Sequence, residues 1–195
     1  VTGDDASIDG IEFIQVSYDR NGAEHLNWSG DNGTLTNSVF TDTTVESNDN
    51  SLWWTGENGT ITGNTFDRSN GDQGSPAVGL YGMTAVTFSN NTVTNSRVGV
   101  QLSGEQGDGT VTITDNTVTT PSEFSSFYFI GGVPGSGNTA PLAEGRLDDV
   151  VFTGNTFEDG LEIFLGDDGD ANPFASAGDD LVRGGAGDDT VTGAA

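Results

Sequence analysis

The densest set of reactive side chains in this sequence lies in one short stretch, YDRNGAEH at residues 18–25. Tyr18 or His25 could act as the base that removes a proton from a substrate, and Arg20 could hold a substrate carboxylate. The simpler interpretation is a polar turn between strands, in which a single histidine has no catalytic role. We favour the polar turn and keep these three residues as the catalytic candidates of the chain.

The C-terminal residues have the spacing of a calcium-binding repeat. GGAGDDTVT at 184–192 matches the nonapeptide GGxGxDxUx at every specified position, and ASAGDDLVR at 175–183 lacks only the first two glycines. The pattern resembles the repeats-in-toxin (RTX) family, which is secreted and folds on calcium; the alternative is a plain Gly-Asp turn. The resemblance implies a Ca²⁺ cofactor bound between successive turns, where glycines expose backbone carbonyls and aspartates add charge. The residues implied are Gly178, Asp180, Gly185, Gly187 and Asp189.

Two aromatic residues have the positions of a sugar-binding platform. Alternation in SLWWT (51–55) and VGLYG (78–82) predicts that Trp53 and Tyr81 point outward when their neighbours point inward. Exposed aromatic rings on adjacent strands can stack on sugar rings without any catalytic group. The alternative is that Trp53 packs beneath a turn or a long loop.

Composition excludes some classes of partner for all these residues. The chain has 195 residues, 30 of them acidic, against five arginines and no lysine, and its formal net charge is −25. Nucleic acids and anionic membrane surfaces would be repelled by such a charge. Cysteine is absent, so disulfides contribute nothing. An acidic, lysine-free surface suits salt or calcium outside the cell, and we predict an extracellular protein.

A repeat organises the chain and must position these residues. NGTLTNSVF at 32–40 recurs as NGTITGNTF at 58–66, and further copies give one series of related positions. The intervals within the series are 25 to 27 residues, except for a last one of 39. Apolar side chains alternate with Thr, Ser or Asn in each copy, which predicts one strand per copy. The series consists of Phe13, Phe40, Phe66, Val93, Val118 and Phe157.

A second apolar alternation follows each copy by roughly a dozen residues, from HLNWS at 25–29 to LEIFL at 161–165. A unit of about 26 residues with two or three short strands cannot bury its apolar face alone, so it must stack on further copies. A propeller blade needs about 40 residues and a leucine-rich repeat needs its leucine frame. The sequence therefore favours a parallel β-helix, in which Asn64, Asn91, Asn116 and Asn155 form a ladder of side-chain amides.

The repeat VTFSNNTVTNSRVGVQL at 86–102 resembles right-handed parallel β-helix proteins such as pectate lyases, polygalacturonases and mannuronan C5-epimerases. The resemblance covers roughly residues 6–165 and implies a polysaccharide as substrate or ligand. Lyases and epimerases of this kind need a base and a group that neutralises a uronate carboxylate. The epimerase Asp-Pro-His stretch and the polygalacturonase signatures are missing here. The insertion in the fifth coil, about a dozen residues long, is either a tolerated loop or one wall of a groove.

We therefore predict an all-β chain: a right-handed parallel β-helix of about six coils over residues 1–165, continued by a short calcium β-roll over 166–195. The function we predict is an extracellular structural or carbohydrate-contacting module. The alternative is a polysaccharide lyase or C5-epimerase acting on uronate polymers such as alginate or pectin, or a fragment of one. Because the outer strands of a solenoid need covering, we also expect a longer solenoid or end-to-end self-association into filaments.

Overall fold

The computed structural model describes eleven segments of the chain: residues 1–15, 26–42, 50–68, 76–81, 85–96, 98–103, 109–119, 125–130, 150–158, 161–165 and 181–183. All of their regular structure is β-strand, in three stacked sheets that we call A, B and C. Each coil contributes one strand to each sheet in the order A, B, C, and neighbouring coils pair in parallel. The predicted parallel β-helix of about six coils is thus confirmed. The described residues include no helix long and apolar enough to cross a membrane.

Strands of three or four residues form sheets A and B, and longer strands form most of sheet C. Sheet A consists of β1 (Ser7–Asp9), β4 (Thr34–Thr36), β7 (Thr60–Thr62), β10 (Thr87–Ser89), β13 (Val111–Thr114) and β16 (Val150–Thr153). Sheet B consists of β2 (Glu12–Gln15), β5 (Val39–Asp42), β8 (Thr65–Asp67), β11 (Thr92–Thr94), β14 (Thr117–Thr119) and β17 (Thr156–Glu158). Sheet C consists of β3 (Leu26–Trp28), β6 (Leu52–Trp54), β9 (Pro76–Tyr81), β12 (Val98–Ser103), β15 (Ser125–Ile130), β18 (Leu161–Leu165) and β19 (Leu181–Arg183).

The prediction of one strand per repeated copy was wrong, because each copy forms two strands around a corner. In VTFSNNTV, for example, Thr87–Ser89 belongs to sheet A and Thr92–Thr94 belongs to sheet B. One residue at this corner in every coil has a positive φ of 49° to 69°. Only Gly, Asn and Asp adopt this conformation readily, which explains their presence. These residues are Gly10, Asn37, Gly63, Asn90, Asp115 and Gly154.

The predicted asparagine ladder is confirmed at the residue that follows this turn. The backbone N–H of Asn64 donates to Oδ1 of Asn91 at 3.0 Å, and Nδ2 of Asn64 donates to the same oxygen at 3.1 Å. Asn91 makes the same two bonds to Asn116, and Asn116 makes them to Asn155. Ser38 occupies this position in the second coil, where its N–H donates to Oδ1 of Asn64. The Asn Oδ1 of each coil therefore accepts hydrogen bonds from the buried backbone N–H and side-chain amide of the coil before it.

Columns of identical or similar apolar side chains fill the interior. The ring centroids of Phe13 and Phe40 lie 4.5 Å apart, and those of Phe40 and Phe66 lie 4.8 Å apart. Trp28 and Trp54 stack at 4.6 Å with no exposed surface. These spacings match the distance between neighbouring strands. The core thus repeats at the same interval as the backbone.

The C-terminal end of the described structure differs from the rest. Leu181–Arg183 forms β19, which pairs antiparallel with β18, whereas all other strand pairs described are parallel. This strand contains the last three residues of the first nonapeptide, ASAGDDLVR. The other residues of both nonapeptides lie outside the described segments, so the calcium β-roll and its boundary at residue 166 stay predictions.

Candidate functional site

Trp53 points away from the core, as the alternation of the sequence predicts. On β6 the flanking Leu52 and Trp54 have no exposed surface, whereas Trp53 is half-buried. On β9, Val78 and Leu80 are also inaccessible to solvent. Trp53 therefore lies on the outer face of sheet C, and Gly79 and Tyr81 of the neighbouring strand β9 lie on the same face.

A glycine on the next strand creates the surface on which the Trp53 indole lies. Gly79 pairs in register with Trp53, and a Cβ at Gly79 would come within 2.6 Å of Cε3 of the indole and within 2.6 Å of Nδ2 of Asn50. The indole crosses this glycine to reach Tyr81. Trp53 thus packs against the strand surface, and only a residue without a side chain at position 79 permits this arrangement.

Trp53 and Tyr81 form a continuous aromatic surface on the outside of sheet C. Their ring centroids are 5.5 Å apart and their planes differ by 24°, which is an offset stack. Both side chains are half-buried, so part of each ring is open to solvent. We call this pair the aromatic platform. A surface of this kind can receive the C–H face of a sugar ring by dispersion and C–H contacts, as aromatic residues commonly do for flat apolar ligand faces.

Within the described residues, the nearest in-register neighbours of the aromatic platform are polar but uncharged. Asn27 pairs in register with Trp53 from the previous coil and is exposed, and Gln101 pairs with Gly79 from the next coil. Ser51, which directly precedes β6, is buried, and its Oγ has no hydrogen-bond partner within the described residues. On the four strands β3, β6, β9 and β12, none of the described outward positions of sheet C carries a charged residue. Amide groups beside aromatic rings can supply the few directed hydrogen bonds that orient a neutral ligand.

The other predicted site residues lie outside the described segments. This applies to the catalytic candidates Tyr18, Arg20 and His25, and to the calcium candidates Gly178, Asp180, Gly185, Gly187 and Asp189. Within the segments that are described, no group of three or more His, Cys, Asp or Glu side chains could hold a metal ion. The structure thus brings together one predicted pair, Trp53 and Tyr81.

Sequence reasoning missed two features of the outer surface. Gly79 lies at an outward position of the alternation in VGLYG, but its contact with the Trp53 indole depends on strand register, which the sequence alone did not give. The repeated Thr-x-Thr triplets of sheet A, as in TLT at 34–36 and TIT at 60–62, were interpreted only as strand alternation. Three of four consecutive coils contain Thr-x-Thr and the other contains TFS at 87–89, and this recurrence was the signal for a regular hydroxyl surface.

Comparisons of this chain with protein-family models, with curated proteins and with solved structures found no match. The fold is therefore established by its strand pairing, and any function must be argued from the chemistry of the described surface.

Proposed function

We propose that this chain is an extracellular structural module that contacts carbohydrate through the aromatic platform of Trp53 and Tyr81. The observation that carries the proposal is the stack of these two half-buried rings at 5.5 Å on the outer face of sheet C. A tryptophan that had only to fill space would be buried like Trp28 and Trp54, which have no exposed surface. Trp53 instead leaves part of an indole available to a ligand.

The charge of the chain indicates which carbohydrates suit this surface. A net charge of −25 repels polyuronates unless cations bridge the two partners, because like charges oppose the encounter. The described in-register neighbours of the aromatic platform, Asn27 and Gln101, are neutral, and they favour a glycan without carboxylates. We therefore place neutral polysaccharides ahead of alginate or pectin as ligands.

Calcium is part of the proposal through the C-terminal nonapeptides. Their acidic side chains repel one another without a cation, so bound Ca²⁺ would order the tail and add stability by mass action. We expect chelation to lower the melting temperature and to speed proteolysis of residues 175–193. An unchanged melting temperature when millimolar calcium is returned to chelated protein would remove calcium from the proposal.

Affinity electrophoresis through gels that contain single polysaccharides tests the carbohydrate contact. We expect retardation by at least one neutral polysaccharide and a loss of roughly tenfold in affinity for Trp53→Ala, since one aromatic stack contributes about 1.4 kcal/mol. Trp53→Phe keeps a ring and should retain most of the binding. Ile14→Ala is the matched control, because Ile14 is exposed on sheet B, away from the aromatic platform.

Two results would contradict this proposal. Equal binding by Trp53→Ala and wild-type protein, with equal melting temperatures, would show that the aromatic platform takes no part. Appearance of unsaturated uronate absorbance on alginate or pectin would instead identify a lyase, which is the alternative implied by the β-helix resemblance. Absorbance lost in His25→Ala or Arg20→Ala would assign the reaction to residues 18–25.

A further inference from the structure

We infer that the outer face of sheet A binds ice. This face lies on a different sheet from the aromatic platform, and the inference does not depend on the carbohydrate proposal. Its basis is a two-column array of hydroxyl side chains on four consecutive strands: β4, β7, β10 and β13. Seven threonines and one serine occupy all eight outward positions of these strands, namely Thr34, Thr36, Thr60, Thr62, Thr87, Ser89, Thr112 and Thr114. We call this array the hydroxyl face.

The strand pairing places these side chains on a regular lattice. Thr34 pairs with Thr60, Thr60 with Thr87, and Thr87 with Thr112, and no residue is inserted in any of these strands. Neighbouring strands are about 4.8 Å apart, and alternate residues of one strand are about 6.6 Å apart. The repeated hydroxyl and methyl groups therefore form a nearly rectangular grid. The repeat between strands is close to the shorter repeat of water oxygens on the prism face of hexagonal ice.

One column of the hydroxyl face makes no side-chain hydrogen bonds within the described protein. Thr34, Thr60, Thr87 and Thr112 bond to the preceding coil through their backbone N–H groups, to Ala6, Gly33, Gly59 and Val86 respectively. Their Oγ1 atoms are consequently available to bond water in a fixed pattern. In the second column Ser89 donates to Oγ1 of Thr62 at 3.1 Å, which holds that part of the column in one arrangement.

The interior keeps this lattice rigid. The inward residues between the paired threonines are Leu35, Ile61, Phe88 and Ile113, and none has exposed surface. β-branched threonine has few side-chain rotamers, and its neighbours above and below restrict it further. A rigid array can hold ice-like water in place, whereas mobile side chains would lose order on binding.

Charge distinguishes the hydroxyl face from the rest of the molecule. The chain has 30 acidic residues, yet none occupies these eight positions. The corresponding positions of sheet B, on β5, β8, β11 and β14, include Val39 and Asp67 among the threonines. A carboxylate binds its own water shell tightly and cannot fit a neutral ice lattice. Over these four strands sheet A is thus an uninterrupted hydroxyl array, and sheet B is not. On the neighbouring β1, Asp9 borders the array and accepts a hydrogen bond from Oγ1 of Thr36.

Ice fits the hydroxyl face better than other partners that could cover it. A second copy of the chain would need large apolar side chains at the contact, and the eight positions contain none. A crystalline polysaccharide would need aromatic rings for stacking, and those lie on sheet C. An array of methyl and hydroxyl groups without charge or aromatic rings matches a surface made only of ordered water.

Thermal hysteresis and partition of the labelled full-length chain into growing ice test this inference. We expect the wild-type protein to separate the melting and freezing points of its solution and to enter the ice. Thr87→Lys, in the centre of the array, should reduce both readouts to those of a buffer that contains serum albumin. Thr92→Lys is the matched control, because it lies in the same coil at the equivalent first position of sheet B.

Each result bears on the inference when the variants have equal melting temperatures. Loss in Thr87→Lys with activity retained in Thr92→Lys supports it. No thermal hysteresis in the wild-type protein overturns it, and so does an equal loss in both variants. Binding to crystalline cellulose that Thr87→Lys abolishes, without any effect on ice, would assign the face to a polysaccharide and overturn it too. Thr112→Lys, one coil further on, serves in place of Thr87→Lys should that variant not fold.

Discussion

The corner between sheets A and B repeats one asparagine, whereas the corner between sheets C and A changes its residues along the stack. At the first corner Asn64, Asn91 and Asn116 make the same bonds coil after coil. At the second corner a buried tryptophan followed by two glycines, as in WSGDNG at 28–33 and WTGENG at 54–59, gives way to other apolar residues in the later coils.

The tryptophan corner is held by packing around a glycine. Nε1 of Trp54 donates to the carbonyl of Gly56 at 2.9 Å, and a Cβ at Gly59 would overlap the Trp54 ring. In the next coil Leu80 pairs in register with Trp54, and Val86 takes the place of Gly59. The smaller Leu80 in place of Trp54 is thus accompanied by the larger Val86 in place of Gly59.

The difference follows from the forces at the two corners. A ladder amide bonds directly to the same amide in the next coil, so each asparagine requires another in register. Packing requires only that the volume is filled, and two side chains can share that volume in more than one way. Hydrogen bonding therefore requires the same residue in each coil, whereas packing requires only that the combined volume of the two side chains stays the same.

Substitutions at Trp54 give the largest expected effect and test the volume argument. We expect Trp54→Ala to lower the free energy of unfolding by about 4 kcal/mol, because it leaves a large cavity in the core. Gly59→Val should destabilise the wild-type protein, since its side chain overlaps the indole. In the Trp54→Leu variant the same substitution should be stabilising, because the two changes together reproduce the leucine and valine found at these positions in the following coil, Leu80 and Val86.

Urea unfolding of the four proteins measures this coupling. In the double-mutant cycle, the variant with both Trp54→Leu and Gly59→Val should lose less unfolding free energy than the sum of the losses of the two single variants. Additive effects, with Gly59→Val equally destabilising in both backgrounds, would refute shared volume at this corner.

Substitution in the middle of the ladder has the next largest effect. Asn91→Ala removes the Oδ1 that accepts from the buried N–H and Nδ2 of Asn64, and it removes the donor to the Ile61 carbonyl. Buried groups left without partners cost about 1–3 kcal/mol each, so we expect a loss of about 3 kcal/mol. Asn155→Ala is the control at the last described rung, where the residue is only half-buried and a loss of about 1 kcal/mol is expected.

Unfolding of both variants by urea and by heat measures this difference. A loss for Asn155→Ala as large as that for Asn91→Ala would mean that burial does not set the strength of the ladder. A loss below about 1 kcal/mol for Asn91→Ala would mean that water replaces the missing amide at no cost.

The sequence predicted those features that depend on residue periodicity. Alternation placed Trp53 outward and Trp54 inward, and recurrence at a fixed interval identified the ladder through Asn64 and Asn91, because both need only the register of one coil on the next. The bend within each copy was missed, although the polar run SNNT at 89–92 shifts the alternation between Phe88 and Val93 by one residue, and Asn90 within that run turns the chain with a positive φ of 54°. The stack of Trp53 on Tyr81 depends on Gly79, which lies opposite Trp53 on the neighbouring strand and two residues before Tyr81, and no pattern within one strand contains that relation.

The smallest expected effect concerns the solvent-exposed hydrogen bonds between Asp9 of the first coil and the second coil. Asp9 ends β1, and its Oδ1 accepts from Oγ1 of Thr36 at 2.7 Å and from Nδ2 of Asn37 at 2.8 Å. The bond from Thr36, followed by that from Asn37, lowers the pKa of the Asp9 carboxyl, because both donors stabilise its charged form. The buried asparagine ladder has no titratable group, so pH separates these outer bonds from the inner ones.

The sign of the effect follows from linkage. A carboxyl with a lowered pKa in the folded state contributes stability that is fully present above its unfolded pKa of about 3.9, and the contribution is lost as pH falls through the folded pKa. Carboxyl-carbon NMR of Asp9 should give a midpoint below that of an unfolded aspartate. Thr36→Val, which keeps the shape of the side chain but lacks the donor, should raise the midpoint more than Asn37→Gly does. Glycine suits the positive φ of 49° at position 37, so that variant removes the second donor without straining the turn. An Asp9 midpoint that is the same in the wild-type protein and in Thr36→Val would show that these exposed bonds, unlike the buried ladder, exchange freely with water.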